Sequence, residues 1–300
     1  MFVQDEIAFL QAEIDRASIE VRSALSSLMK AHRLPPQLMS VATLIDRVEC
    51  HLTFEAGESA FELSEDGKIL KYRASVVRTI VNKTRHLADE VGVDLGEANR
   101  IHQTAINLFV IHELLHIRQN FPHFATVATI KEGAAGLGLP LLDLAADVLS
   151  AWICAHVQCD LLQDDSESTL LKEYSNCLIL SYLMGAFVYD ARTKPEKRQR
   201  AIGLIVSAIL VQAKLEGRLN DNMLFDNWQP ASPILVLDLE KCGTFNAIVL
   251  DQHAGLLLQD APRGDPEKLS AIWNLVGRRP IFEILKLVGS VLMELGVINA

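Results

Sequence analysis

Three ionisable side chains, His112, Glu113 and His116, interrupt the apolar stretch INLFVIHELLHI that runs from Ile106 to Ile117. Burying such groups is costly unless each finds a partner. On a helix the two histidines lie one turn apart on one face, so both imidazoles can approach a single divalent cation. Glu113, next to His112 in sequence, can face a water bound to that ion and take its proton. For catalysis the ion needs a further protein ligand and an open position for water. The bland alternative is a core helix whose histidines are satisfied by ordinary hydrogen bonds.

The spacing is the HExxH pattern of zinc peptidases, in which the glutamate acts as general base. The compact metzincin form is excluded, because Gln119 and Pro122 stand where it needs glycine and a third histidine, and His123 falls one step late. Candidates for the remaining ligand are Asp143, Asp147, Glu132 and His156. Asp143 and Asp147 lie one turn apart in the apolar segment LPLLDLAADVLSAW, Leu139 to Trp152, where Pro140 suits a first helical turn. Two like charges on one face of such a helix are unfavourable unless something positive sits opposite, and a metal would supply it. Asp143 also fits the ordinary preference for acids near helix starts. Glu132, in the glycine-rich KEGAAGLG, also fits a solvated loop carboxylate.

Together, His112-Glu113-Leu114-Leu115-His116 and Asp143-Leu144-Ala145-Ala146-Asp147 resemble the gluzincin metallopeptidases. The likeness is greatest to membrane-protease-like and phage-exclusion-type families, whose second motif is Glu-x-x-Ala-Asp on a following helix. The resemblance implies a zincin-like core, a bound Zn2+ and a peptide or protein substrate. It implies His112, His116 and Asp143 as ligands, Glu113 as general base, and Asp147 as the residue that orients a zinc-binding histidine and fixes its tautomer. Asp143 departs from the pattern by one methylene, so its helix must sit closer or another residue must ligate. Family members stabilise the oxyanion with a downstream Tyr, His or Arg. His156, Tyr174, Tyr182 and Tyr189 are all candidates here, and the sequence does not select among them.

Elements must hold these residues in place. Asp94 and Glu97 have the spacing of a capping box ahead of Ala98, and Asn120-Phe121-Pro122 ends the run that carries His112 and His116. Val3 to Arg33 is expected as one long helix, with Ile7, Leu10, Ile14, Ala17, Val21, Ala24 and Leu28 forming a heptad stripe. That stripe packs onto its own domain or pairs with a second copy in a homo-oligomer. Pro35-Pro36 ends it, and a shorter helix follows. Alternating apolar positions between Val48 and Tyr72 predict a small sheet, with Asp66-Gly67 as a hairpin turn. An edge of such a sheet can hold an extended substrate by strand addition, or serve only as scaffold. Ala74 to Glu90 is expected as a helix with Arg78, Lys83, Arg85 and His86 on a solvated face. Helices at 170–189 and 196–215 flank RTKPEKRQR, which is expected as an exposed turn and helix start. After Pro230 and Pro233, PILVLDLE and FNAIVLDQ suggest two strands, LLLQ suggests a third, and two helices finish the chain.

The composition sets outer bounds. The chain has 300 residues, half of them hydrophobic, enough for a sizeable core, and a net charge of −10 argues against a nucleic-acid partner. Its five cysteines form no CxxC pair, which favours buried thiols in a reducing compartment. The N-terminus carries acids where a signal peptide carries basic residues, and no stretch is apolar enough for a membrane span, so a cytoplasmic protein is expected. GLGLP lacks the lysine of a P-loop, and a di-iron bundle needs a second Glu-x-x-His besides Glu113 to His116.

The expectation is a predominantly helical α+β protein with a zincin-like core, a small N-terminal sheet and a C-terminal strand/helix subdomain. Its divisions are N-terminal helices over 1–47, the metallopeptidase core over 48–219 and the subdomain over 220–300. The expected activity is that of a zinc-dependent peptidase, an intracellular endopeptidase. The competing expectation is a zincin-derived protein that binds or regulates without catalysis.

Overall fold

A computed structural model describes residues 4–55, 60–64, 67–119 and 138–187, together with Arg200, most of 203–215 and most of 287–297. In chain order the elements are α1 (Gln4–Lys30), α2 (Pro36–Ile45), β1 (Glu49–Thr53), β2 (Phe61–Leu63), β3 (Ile69–Arg73), α3 (Ala74–Val91), α4 (Leu95–Gln119), α5 (Gly138–Leu162) and α6 (Glu167–Phe187). The described residues are therefore mostly helical with one small three-stranded sheet, an α+β arrangement. Further helical residues lie within 200–215 and 287–294. The candidate ligand Glu132, Tyr189, Cys242 and the three C-terminal strands expected beyond Pro233 lie outside the described residues.

Helix α4 is the axis of the fold. Its Ala105, Ile106, Leu108, Phe109, Val110, Ile111, Leu114 and Leu115 are all buried, the signature of a helix enclosed on every side. Helices α1, α2, α3, α5 and α6 all pack against it. Asp94 caps its start, with Oδ1 accepting from the Glu97 N–H at 2.9 Å. Only half of the expected capping box forms, because the Glu97 carboxylate turns to Arg100 at 2.7 Å instead of returning to the cap.

The apolar stripe of α1 is a packing face of this chain. Leu10, Ile14, Ala17, Val21, Ala24 and Leu28 are buried, and the helix lies against α4 and α5. In the sheet, β3 is central, parallel to β1 on one side and antiparallel to β2 on the other. The turn between β2 and β3 falls where Asp66-Gly67 predicts it. Gly67 takes φ +69°, a backbone favourable to glycine, and its N–H donates to Ser64 O at 2.9 Å. Leu70 and Tyr72 of β3 point inward, and the Tyr72 ring meets Phe109 of α4 edge-on at 5.4 Å. The outer edge of β1 is covered from α1, where the Gln11 side chain accepts from Leu52 N–H at 2.9 Å and donates to Cys50 O at 3.3 Å. On α3, Lys83, Arg85 and His86 are exposed as expected. Arg78 is instead half-buried and donates to Glu6 of α1 at 2.6 Å.

Candidate metal centre

Two helices bring the site together. His112 and His116 project from the C-terminal half of α4, Asp143 and Asp147 from the N-terminal half of α5, and these two helices pack along each other. Their faces match because α5 carries Leu144, Ala145, Ala146 and Val148 around the aspartates, all buried and half of them small. The shorter Asp143 still comes within 3.1 Å of His116 Nε2.

The Nε2 atoms of His112 and His116 face each other 2.8 Å apart. Asp143 Oδ1 lies 3.1 Å from His116 Nε2. One donor atom from each of His112, His116 and Asp143 falls within 4.8 Å of the others, and this is the only such His/Cys/Asp/Glu cluster among the described residues. Nitrogens bound to one tetrahedral zinc stand about 3.3 Å apart, so a small opening of the pair would admit the ion. The donor set is two imidazoles and a carboxylate, which fits a zinc ion. Asp147 stands behind the pair, with Oδ1 2.8 Å from His112 Nδ1, a close approach that is off the in-line geometry of a full hydrogen bond. It can thus hold the ring with Nε2 turned inward.

Electrostatics divide the acids. Burial pushes the Asp143 and Asp147 carboxyls up, but His116, His112 and Arg200 outweigh it and both are held below their ordinary values. For Glu113 the balance reverses: burial dominates over the nearby His112, His116 and Arg200, and its pKa is raised. The outcome is two fixed anions and one carboxylate that more readily takes a proton, as a general base requires.

Arg200 was not anticipated. It is the last residue of RTKPEKRQR, and the expectation of a solvated segment is wrong for it, since its side chain is 13% exposed. Its Nε and Nη2 both donate to Asp147, the latter at 2.7 Å, and its Nη1 lies 3.6 Å from Asp143 Oδ2. The signal for it was present on the other side of the contact, because the two acids of α5 called for a positive charge opposite them. Beside Arg200, Asp147 and His112 lies a small cavity that also touches Leu108, Ser150 and Ser181. The Ser181 hydroxyl is buried without a partner among the described residues.

His156 lies nine residues beyond Asp147 on α5, about 14 Å along the axis, and its ring packs on Trp152 at 4.3 Å. Burial, with the nearby Arg33 charge, drives its pKa down to about 4. The Tyr174 hydroxyl donates to Val148 O at 3.2 Å, and Tyr182 is buried. Four cysteines, Cys50, Cys154, Cys159 and Cys177, are buried free thiols. Among the described residues, no helix is long and apolar enough to cross a membrane.

Comparison of the chain with protein families, with curated proteins and with solved structures returned no match.

Proposed function

We propose that the protein is a zinc-dependent peptidase with a zincin-like core, an endopeptidase acting on a peptide or protein inside the cell. The observation that carries this reading is the convergence of His112 Nε2, His116 Nε2 and Asp143 Oδ1 from α4 and α5, with Glu113 beside them. These three residues would hold the zinc, which would supply Lewis acidity and lower the pKa of a water toward neutrality. Asp147 keeps the His112 ring turned toward the ion. Glu113 accepts the proton of the attacking water and returns it to the leaving amine, a role suited to a carboxylate whose affinity for protons is raised by burial. Of the two edge strands, β1 is covered by Gln11, so a substrate held by strand addition would use β2.

One observation favours a second reading, a metal-free binding or regulatory protein. Arg200 already supplies a positive charge opposite both aspartates. Elemental analysis of protein purified from cells separates the two. Stoichiometric zinc, with proteolysis of a peptide library abolished in Glu113→Gln, supports the peptidase. Absence of zinc, with the biological effect intact in Glu113→Gln, supports the binding protein.

A further inference from the structure

Asp143 stands between two cation positions. Its Oδ1 faces the paired imidazoles, 3.1 Å from His116 Nε2, while its Oδ2 faces Arg200 Nη1 at 3.6 Å. The guanidinium is meanwhile anchored on Asp147 through its other two nitrogens. We propose that Arg200 is an internal counter-cation that competes with the metal for Asp143 and so limits how tightly the centre holds a divalent ion. This rests on the metal-binding reading of the same site.

The reasoning is electrostatic. Two carboxylates one turn apart on α5 repel each other, and in the unloaded protein Arg200 balances them. A dication placed among His112, His116 and Asp143 supplies that balance a second time, a few ångströms from a fixed positive charge that repels it. Taking away the reach or the charge of Arg200 therefore acts in opposite directions on the two states. The unloaded protein loses the partner of its two aspartates, whereas the loaded protein keeps the metal as theirs.

The test uses the full chain, stripped with chelator and titrated with zinc against a competing chromophoric chelator, alongside thermal unfolding with and without zinc. Arg200→Gln is expected to bind zinc about tenfold more tightly than wild type. It should also melt lower without zinc and gain a larger zinc-induced rise in Tm. Arg200→Lys, whose single ammonium can hold Asp147 but lacks the fork that reaches Asp143, is expected to tighten binding about threefold. If Gln substitution prevents folding, the lysine variant decides alone. Weaker or unchanged zinc binding in the variants that fold would mean that Arg200 only organises Asp147, overturning the proposal while leaving the metal site standing. Failure of wild type to bind zinc overturns both.

Discussion

Helix α4 carries two partly buried ionic clusters, and they are built differently. Toward its N-terminal end, His102 and Asn107 meet Glu13, Arg16 and Glu20 of α1. There Arg16 pairs with Glu13 at 3.0 Å and Glu20 at 2.6 Å, one turn away on its own helix, and Asn107 donates to Glu20 at 2.8 Å. Burial tends to raise the Glu13 carboxyl, but His102 and Arg16 hold it below its ordinary value. The lone histidine of that cluster, His102, has Nε2 3.3 Å from Glu13 and its ring stacked on Phe9. Toward the C-terminal end, the partners come from two separated segments, α5 and the one that carries Arg200, and two imidazole nitrogens face each other at hydrogen-bond distance. Buried charge is common to both, so it does not by itself mark chemistry. Two imidazole nitrogens and a carboxylate oxygen gathered within 4.8 Å of one another, with a second, buried carboxylate next to them, distinguish the second.

The sharpest way to separate the clusters is through Glu113. Glu113→Gln is expected to lower peptide hydrolysis by about a thousandfold while zinc content, read by elemental analysis, stays at the wild-type level. If zinc disappears instead, Glu113 is a ligand and its role must be redrawn. Next in size is the contrast within α5. Asp143→Ala should lower zinc affinity more than about 100-fold, and Asp147→Ala about 10-fold to 100-fold, since in the proposed site the latter only orients His112. The reverse order in a chelator competition would exchange their roles.

His156 provides a smaller effect remote from both clusters. Its folded pKa of about 4 lies below the ordinary value of 6.5, so the unfolded chain binds the extra proton between these values. Stability is therefore complete above pH 6.5 and falls as the pH drops toward 4, by about 2 kcal/mol after allowance for partial solvent contact. Replacing His156 by leucine should flatten that part of the stability curve, measured by denaturant unfolding across the range. An unchanged slope would place the acid sensitivity elsewhere. Smallest is His102→Gln, expected to cost about 1 kcal/mol of stability and to leave zinc affinity unaltered. A loss of zinc there would dissolve the distinction between the clusters.

Helices α4 and α5 were legible because their signals are local. Asp94 marks the start of α4, periodic and near-continuous apolar positions mark both, and spacings of four place His112 with His116 and Asp143 with Asp147. The hairpin at Gly67 was legible for the same reason, a turn residue with a special backbone demand. Arg200 was not, because nothing in a run of five basic residues says which one a distant helix will draw inward. Tyr72 against Phe109, the parallel pairing of β1 with β3, and Arg78 reaching Glu6 are likewise facts of tertiary approach. The half-formed capping box shows the limit even of local patterns, since Glu97 has the right spacing but Arg100 offers its carboxylate a charged partner.

The Gln11 amide occupies the outer border of β1. By offering both an acceptor and a donor to Leu52 and Cys50, it imitates a neighbouring strand with a single side chain. A sheet of three short strands is thereby protected from recruiting foreign backbone along β1, a hazard for any unpaired border. Helix α1 thus keeps the folded chain from self-assembly through that border, a service distinct from the apolar contacts it makes with the centre of the molecule.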